Sequence, residues 1–464
     1  MKQLFLILLV LLSYRASAQI PHPVNGVPDE RHLVYAITQV TVHCTADEVI
    51  TDAVVLIRDG RIIGLGKALA IPAGAVVLPQ NGKHMYPTFV ELLSGYGIPT
   101  PEGRKRRSEE TADRSDAGPN AWNMAIHPET NALENFSVDA SRAASLRKAG
   151  FGSVLIHNQD GIMRGTGALV SLSDKKQQEV VLKDKAASFF SFDKGSSAQD
   201  YPSSLMGSIA LIRQTFYDAR WYAQGGNARY TNLSLAAVQD QEKLPSFFYC
   251  SNWEDVFRIT KIGDEFGRKF ILAGVDDAYQ RSAEIKKAGV ELIIPLNLPE
   301  GWDMNDTYAA RHIPLSDLLH WEAAATNAAA MYRAGVTFSF TTSGLKDVNQ
   351  TMDMLAKAVK AGLPAKEALR AITFNPAKMI GAENRIGSLK VGMEASFFLS
   401  SDTLFHPSNR IVQTWIQGTA YESEPFQTKD LRGKWTLSAE GFPESVLDIS
   451  QGAPRYEANI LVGK

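Results

Sequence analysis

Histidines and carboxylates at the ends of strand-like runs are the residues of this chain whose types could do chemistry. The 464 residues include nine histidines, and no two of them are adjacent or spaced as His-x-His. That spacing would let two imidazoles hold one divalent ion, which would lower the pKa of a bound water enough to make it a nucleophile. The sequence therefore carries no local pattern for a histidine-rich metal site.

Five side chains are predicted as pocket candidates because they lie in or just after strand-like runs, where α/β folds place their chemistry. They are Glu91, His157, Cys250, Asp276 and Asp277. Structural roles are favoured for most of them. His157 fits a hydrogen-bonded structural histidine, and Cys250 fits a buried apolar thiol. The two adjacent aspartates fit the N-cap of a helix that begins at Ala278.

The elements that must position these residues alternate between strands and helices. Apolar strand-like runs are predicted at residues 85–93, 152–157, 246–250, 269–274, 291–295 and 336–341. Helices are predicted at residues 139–149, 203–222, 253–266, 278–288, 314–334 and 351–361. This alternation indicates an α/β fold with a parallel sheet and crossover helices.

Short strands and turns are predicted on both sides of this alternating region. Asp59-Gly60 is a hairpin signal between two apolar runs, and Gln417-Gly418 follows a strand predicted at 410–416. The same β-rich character at the two ends predicts one β-layer that is split by an inserted α/β domain. Distant parts of the chain would then pair in one sheet.

The composition is that of an ordinary globular protein. The formal net charge is −2, with 45% hydrophobic and 21% charged residues. These values exclude disorder, collagen and coiled coil as the main architecture, and they exclude a globally basic nucleic-acid binder. Residues 100–120 are polar, with a basic run followed at once by acids, and are predicted to be a solvated loop.

The first eighteen residues are predicted to be a secretory signal peptide. Lys2 precedes an apolar run at residues 4–12, and Ala16-Ser17-Ala18 offers small residues for cleavage. The run is too short to span a bilayer, and no span is predicted in the mature chain. A secreted or periplasmic location follows. The two cysteines, Cys44 and Cys250, are predicted to be buried free thiols because one pair makes no disulfide scaffold.

Several long segments resemble the amidohydrolase superfamily, especially its imidazolonepropionase-like group. They read VVLIRDGRIIGLG, IPAGAVVLPQNGKHMYPTFVEL, DASRAASLRKAGFGSVLIH and AGLPAKEALRAITFNPAKMIGAENRIGSLKVGMEASFFL, in chain order. The resemblance implies a TIM-like (β/α)8 barrel at residues 85–385. It also implies a composite β-sandwich built from residues 19–84 and 386–464. Family members hydrolyse C–N bonds in amides, cyclic amides and dipeptides, and use zinc or another divalent metal to activate water.

The positions where the resemblance places metal ligands hold residues that cannot replace them. The vacated ligand positions fall on Leu93, Gly95, Tyr249 (or Cys250), Ala273 and Ser343. Loss of the His-x-His pair, the later histidines and the aspartate removes the Lewis acid and the base together. Water with a pKa near 15.7 would then have to attack unaided. No metal or other cofactor is therefore predicted.

Three hypotheses follow. The first is a metal-free pseudoenzyme, or the silent half of a larger hydrolase, working beside an active amidohydrolase partner or second domain. The second is an active hydrolase with an altered site. The third is a secreted or periplasmic module that binds a small molecule or peptide at the barrel mouth. None of the three involves nucleic acid.

Overall fold

The chain is rich in strands at both ends and alternates strands with helices between them. The computed structural model describes residues 33–99, 118–302, 308, 311–423, 433–437, 445–449 and 458–462. The predicted signal peptide and most of the predicted loop at residues 100–120 lie outside the described residues.

The described strands and α-helices are numbered separately in chain order. The strands are β1 (Tyr35–His43), β2 (Val49–Arg58), β3 (Arg61–Gly66), β4 (Val76–Pro79), β5 (His84–Pro87), β6 (Phe89–Ser94), β7 (Phe151–Ile156), β8 (Met163–Ser171), β9 (Val181–Phe190), β10 (Ser246–Tyr249), β11 (Phe270–Ala273), β12 (Glu291–Pro295), β13 (Phe338–Thr341), β14 (Phe397–Ser400), β15 (Ile411–Ile416), β16 (Thr419–Glu422), β17 (Gly433–Leu437), β18 (Ser445–Ile449) and β19 (Ala458–Val462). The helices are α1 (Ala140–Lys148), α2 (Gln177–Val180), α3 (Leu205–Ala223), α4 (Leu233–Asp240), α5 (Trp253–Phe266), α6 (Ser282–Ala288), α7 (Leu315–Ala323), α8 (Asn327–Ala334), α9 (Thr351–Lys360), α10 (Ala365–Ile372) and α11 (Phe374–Met379).

Both ends of the chain contribute to one eight-stranded sheet, as the split β-layer requires. Its order is β16-β15-β14-β5-β1-β2-β3, with β4 pairing to the first part of β1. The two chain ends meet where β5 and β14 run antiparallel, with Tyr86 opposite Phe398. The inner face carries buried apolar side chains such as Val55, Phe397 and Trp415. The strands of the expected composite sandwich thus form a single hydrogen-bonded sheet.

Two tight turns from opposite ends of the chain touch each other in this composite sheet. Asp59 and Gly60 have φ of 49° and 74°, and Gln417 and Gly418 have φ of 48° and 76°. These values are typical of the two-residue hairpin turns that both sequence pairs predict. A Cβ on Gly60 would lie 2.8 Å from the Gln417 carbonyl oxygen, so glycine permits the close approach.

A second eight-stranded sheet runs in sequence order from β6 to β13. Neighbouring strands are parallel except at β8, which is antiparallel to both β7 and β9. The connections from β7 to β8 and from β8 to β9 therefore join antiparallel neighbours, where crossovers between parallel strands were expected. This is a correction to the expected (β/α)8 pattern, because one of the eight strands points the other way.

Six of the eight strands in this sheet coincide with predicted strands, and β8 and β9 were not predicted. Every residue of β8 is buried, so it lacks the alternation that marks a half-exposed strand. Gly165 and Gly167 also weaken its strand propensity. The predicted strand at residues 85–93 is divided at Pro87 and Thr88 between the two sheets.

Successive residues of the second sheet face two separate apolar clusters. The inner cluster includes Leu93, Phe189, Phe247, Ala273 and Ile293. The outer cluster lies between the sheet and the helices and includes Phe248 and Leu272. Because side chains alternate with a two-residue period, every second residue of a strand faces the inner cluster and the residues between face the outer cluster.

The predicted helices are present, with two of them broken. Helix α5 has the predicted bounds, and Asp139 caps α1 by accepting from the Arg142 N–H at 3.0 Å. The predicted helix at 314–334 is divided into α7 and α8 by a 3₁₀ turn, and 278–288 begins as a 3₁₀ turn before α6. In the described part of the chain, every helix is too short or too polar to cross a bilayer.

The last described segments, β17, β18 and β19, form an antiparallel three-stranded sheet. Trp435 pairs with Leu447, which in turn pairs with Ile460. These strands extend the β-rich character that the sequence predicts after residue 385.

Candidate functional site

Polar side chains from five strands meet at the carboxyl ends of β6, β7, β10 and β13. We call them the strand-end cluster. Glu91 contacts Thr341 and Thr342. Tyr249 contacts His157 and Arg164, and the charge of Glu91 is near enough to act on Tyr249. Arg164 belongs to β8, whose reversed direction brings its amino end to the same edge of the sheet. In sheets of this kind, that edge is where ligands and substrates bind.

Glu91 joins the first and last strands of the sheet. Its Oε1 accepts from the Leu93 N–H at 2.9 Å and from the Thr341 hydroxyl at 2.6 Å. Its Oε2 accepts from the N–H and the hydroxyl of Thr342, both at 2.6 Å. The side chain is 2% exposed. Burial raises the pKa of Glu91, while these hydrogen bonds favour its carboxylate form.

His157 and Tyr249 form a directed hydrogen-bonded pair. His157 Nδ1 lies 2.8 Å from the carbonyl oxygen of Asn158, which can only accept, so Nδ1 carries the proton. His157 Nε2 is then an acceptor, and the Tyr249 hydroxyl donates to it at 2.8 Å. The imidazole also stacks on Phe189, with ring centroids 4.0 Å apart.

The surroundings keep this pair neutral at physiological pH. Burial lowers the pKa of His157 to about 3, and the nearby Arg164 charge acts in the same direction. Burial raises the pKa of Tyr249 well above its ordinary value. Both shifts have the sign expected when the charged form loses its hydration. His157 is therefore a neutral acceptor rather than a cation.

Arg164 supplies the positive charge of the strand-end cluster. Its side chain is 7% exposed, and its guanidinium carbon lies 4.6 Å from the centroid of the Tyr249 ring. Its Nε donates to the Gly161 carbonyl oxygen at 2.9 Å. Burial lowers the pKa of Arg164, and Tyr249 and two nearby aspartates partly oppose that shift. A guanidinium nonetheless stays protonated.

The positions at which the sequence resemblance expects metal ligands lie on or just after strands of the same sheet. Leu93 and Ala273 lie in the inner apolar cluster. A Cβ on Gly95 would lie 3.1 Å from the side-chain nitrogen of Gln159, so that side chain occupies the adjacent space. Ser343 follows β13, and its N–H donates to the Thr341 hydroxyl at 3.0 Å.

The donors present do not fit a hydrolytic metal centre. Within the ranges that the structure describes, no group of three His, Cys, Asp or Glu side chains could hold a metal ion. The carboxylate of Glu91 accepts from four protein donors, and both ring nitrogens of His157 have protein partners. Three protein ligands and an open position are the usual requirement of a catalytic zinc.

The other pocket candidates lie elsewhere or have other roles. The Cys250 thiol belongs to the outer cluster, burial raises its pKa, and Sγ lies 3.7 Å from the Phe248 carbonyl oxygen. Cys44 and Cys250 are both free and buried. The predicted cap is wrong for Asp277, which precedes the 3₁₀ turn without making a side-chain cap bond. Its Oδ1 is buried without a partner, whereas Asp276 lies 3.5 Å from His320 Nε2.

Sequence reasoning missed Arg164, Thr341 and Thr342. The signal for Arg164 was a lone charge within the apolar, glycine-containing run GIMRGTGALV. Such a charge is rarely buried without a specific role. The two threonines gave no local signal, because only the packing of β13 against β6 brings them to Glu91.

The sequence and the fold of this chain are similar to those of known amidohydrolases. Residues 264–421 match the family model described as the amidohydrolase family. No curated protein matches the chain. An amidohydrolase from Thermotoga maritima MSB8 has 20% sequence identity and a TM-score of 0.68, covering 84% of this chain and all of that one. A second solved amidohydrolase has 13% identity and a TM-score of 0.51, covering 84% of this chain and 99% of its own. The structural likeness shows the fold, and together with the family match it supports the amidohydrolase superfamily.

Proposed function

We propose that this chain is a member of the amidohydrolase superfamily, of its imidazolonepropionase-like group, that has given up metal-dependent hydrolysis and binds a small molecule or peptide at the strand-end cluster. The observation that carries the proposal is the replacement of the metal-ligand positions. Leu93 and Ala273 are packed into an apolar cluster, and the space beside Gly95 is taken by Gln159. Refilling that site with a metal would require the inner cluster to repack.

The remaining polar groups suit recognition better than hydrolysis. Activation of water needs a base with a pKa near the working pH or a metal that lowers the pKa of water. His157, with a pKa lowered to about 3, is too weak a base for that task. Glu91 already accepts four hydrogen bonds and links β6 to β13. Together with Arg164, these groups offer a ligand fixed dipoles and one buried positive charge.

The same proposal includes the setting in which such a protein would work. The predicted signal peptide supports export to the periplasm or the exterior. A catalytically silent barrel there would serve as a binding subunit, or as one half of a larger hydrolase beside an active amidohydrolase. Copurification with such an enzyme from the periplasmic fraction would support this part of the proposal.

Metal analysis of the purified chain tests the proposal directly. Protein stripped with EDTA is dialysed against zinc, manganese or iron, and bound metal is counted by mass spectrometry. We expect far less than one equivalent of each. The control variant is His43→Ala, because His43 Nε2 and His84 Nδ1 lie 3.1 Å apart and could retain stray zinc. One equivalent of metal that persists in His43→Ala but is lost in His157→Ala would overturn the proposal.

An active hydrolase with an altered site is the second candidate. The observation that favours it is the Tyr249 hydroxyl, which donates directly to His157 as an activated nucleophile would. The pKa shifts oppose it, because the pKa of the donor is raised while that of the acceptor is lowered. Turnover of dipeptides, cyclic amides or lactones that survives metal removal and disappears in Tyr249→Phe would favour this candidate.

A further inference from the structure

Arg164 is a buried cation whose guanidinium is only partly hydrogen-bonded within the described part of the chain. Its Nε donates to Gly161, but neither terminal nitrogen has a hydrogen-bond or ion-pair acceptor among the described residues. Only 7% of the residue's surface is exposed. Removing a guanidinium from water is costly unless another charge or a set of acceptors replaces the lost hydration.

The nearest acids are committed to other partners. Asp160 accepts from the Ser196 N–H at 2.7 Å and from its hydroxyl at 2.6 Å. Asp193 accepts from the Gly195 N–H at 2.9 Å. Both aspartates favour the charged form of Arg164, yet neither lies within ion-pair distance of it. Their attraction keeps the guanidinium charged and leaves its terminal N–H groups free for another acceptor.

The backbone around Arg164 is shaped to present this side chain. The pairing of β8 with β9 shifts register between Met163 and Thr166, which places Arg164 and Gly165 in a bulge. A bulge re-aims the side chains beside it, and bulges recur next to functional sites. Gly165 has φ of 76°, and a Cβ there would lie 2.1 Å from the Thr130 carbonyl oxygen.

We propose that the strand-end cluster binds a small molecule that carries a carboxylate, and that the Arg164 fork holds this carboxylate. This inference rests on the proposed binding function and names the chemical class of the ligand. The planar guanidinium matches a carboxylate in a two-bond arrangement. With one cation and the nearby carboxylates of Asp160 and Asp193, the site disfavours a dianionic phosphate more strongly than a monoanion. The Tyr249 oxygen can accept one further hydrogen bond from the ligand while its own proton is donated to His157 Nε2.

Matched pairs of probes of nearly the same shape, in which a neutral amide replaces the carboxylate, test the proposal. The full chain, stripped of metal with EDTA, is titrated with benzoate and acetate, and in parallel with benzamide and acetamide. Binding is followed by the shift in melting temperature at constant ionic strength. We expect saturable stabilisation by the carboxylates and none by the amides. Arg164→Met is expected to weaken carboxylate binding at least about tenfold, as loss of a charge-assisted bond does.

Two further variants separate recognition from structure. Arg268→Met is the matched control, because Arg268 also stacks over an aromatic ring, at 4.8 Å from Phe216, and donates to the Val238 carbonyl oxygen. It is expected to bind the carboxylates as the parent chain does. Arg164→Lys keeps the charge but loses the fork, so we expect it to fold and to bind several-fold more weakly.

The melting temperature without ligand gives an independent readout. If the role of Arg164 is to bind a ligand, Arg164→Met removes a buried charge that has no ion-pair partner. The melting temperature of this variant should then equal or exceed that of the parent chain. A parent chain that ignores both carboxylates, or an Arg164→Lys variant that binds them unchanged, would overturn the proposal. Because the protein is free of metal, this result is independent of the metal analysis: zinc binding can refute the proposed function while the carboxylate response stands, and the reverse also holds.

Discussion

Glu91 is a buried carboxylate whose hydrogen bonds give it a structural role. Two backbone N–H groups and two hydroxyls donate to it, so each of its oxygens accepts twice. Three of the four bonds, those from Thr341 and Thr342, tie β6 to β13 at the end of the sheet, and the fourth comes from Leu93 on the same strand as Glu91. A metal or a substrate would have to displace the donors of Leu93 and Thr341, which are buried, and those of Thr342, which is half-buried.

Glu91→Gln is expected to lower the free energy of unfolding by about 1–3 kcal/mol, because one of its two acceptor oxygens becomes an NH₂ group facing buried donors. Denaturant unfolding would measure the change. Glu300→Gln is the control, since its ion pair with Lys346 is exposed and should contribute nothing measurable. Equal stability of Glu91→Gln and the parent chain would show that Glu91 does not bind these donors as a carboxylate.

At the scale of single residues, the sequence predicted which residues lie at the candidate site better than it predicted what they do there. It named Glu91 and His157 as pocket candidates and Tyr249 as a position where the resemblance expects a ligand, and the structure places Tyr249 near both of the others. It could not predict that Tyr249 donates to His157, because the two lie 92 residues apart. The cap assigned to Asp277 was wrong because a side-chain bond depends on the exact geometry of the first turn.

The hairpin of β8 and β9 is the element that distinguishes the second sheet from a barrel of eight parallel strands. Because β8 runs backwards, its amino end reaches the functional edge and delivers Arg164 there. The same reversal replaces a crossover helix with a short connection. The feature that the sequence failed to predict is thus the one that supplies the cation of the site.

Gly165→Ala tests whether the bulge in β8 is required. Its φ of 76° disfavours any side chain, and the added Cβ would lie 2.1 Å from the Thr130 carbonyl oxygen. We expect a loss of about 3 kcal/mol or more in the free energy of unfolding. Gly392→Ala is the matched control, because Gly392 has φ of 93° with nothing within 4 Å of the added Cβ. It should lose only about 1 kcal/mol. Equal losses in the two variants would contradict a tightly fixed bulge.

Elements with a clear periodic pattern were predictable, and those without one were not. The amphipathic helix α5 has its predicted bounds, and both predicted hairpin turns form. The wholly buried β8 has no polar face, and the region of α7 and α8 carried no breaker that would mark the turn between them. The division between β5 and β6 depends on which sheet each half joins, which local sequence does not specify.

At the scale of the whole molecule, an α/β domain is inserted into a sheet that both chain ends build. The closing contact is the pairing of β5 with β14, supported by the two hairpin turns that meet at Gly60. This arrangement was predictable because similar β-rich patterns flank the alternating region. The inner apolar cluster packs the space enclosed by the second sheet.

The central claim is that the strand-end cluster does not bind a metal. Locating zinc in crystals soaked with a zinc salt tests this claim most directly. Crystals of the metal-stripped protein would be soaked in a zinc salt and measured at the zinc absorption edge. We predict no anomalous peak within about 2.3 Å of any donor atom of Glu91, His157 or Tyr249. A peak between His43 and His84 would mark a different site and leave the claim intact. A peak at the strand-end cluster, coordinated by Glu91 or His157, would contradict the account and restore metal-dependent hydrolysis as the function to test first.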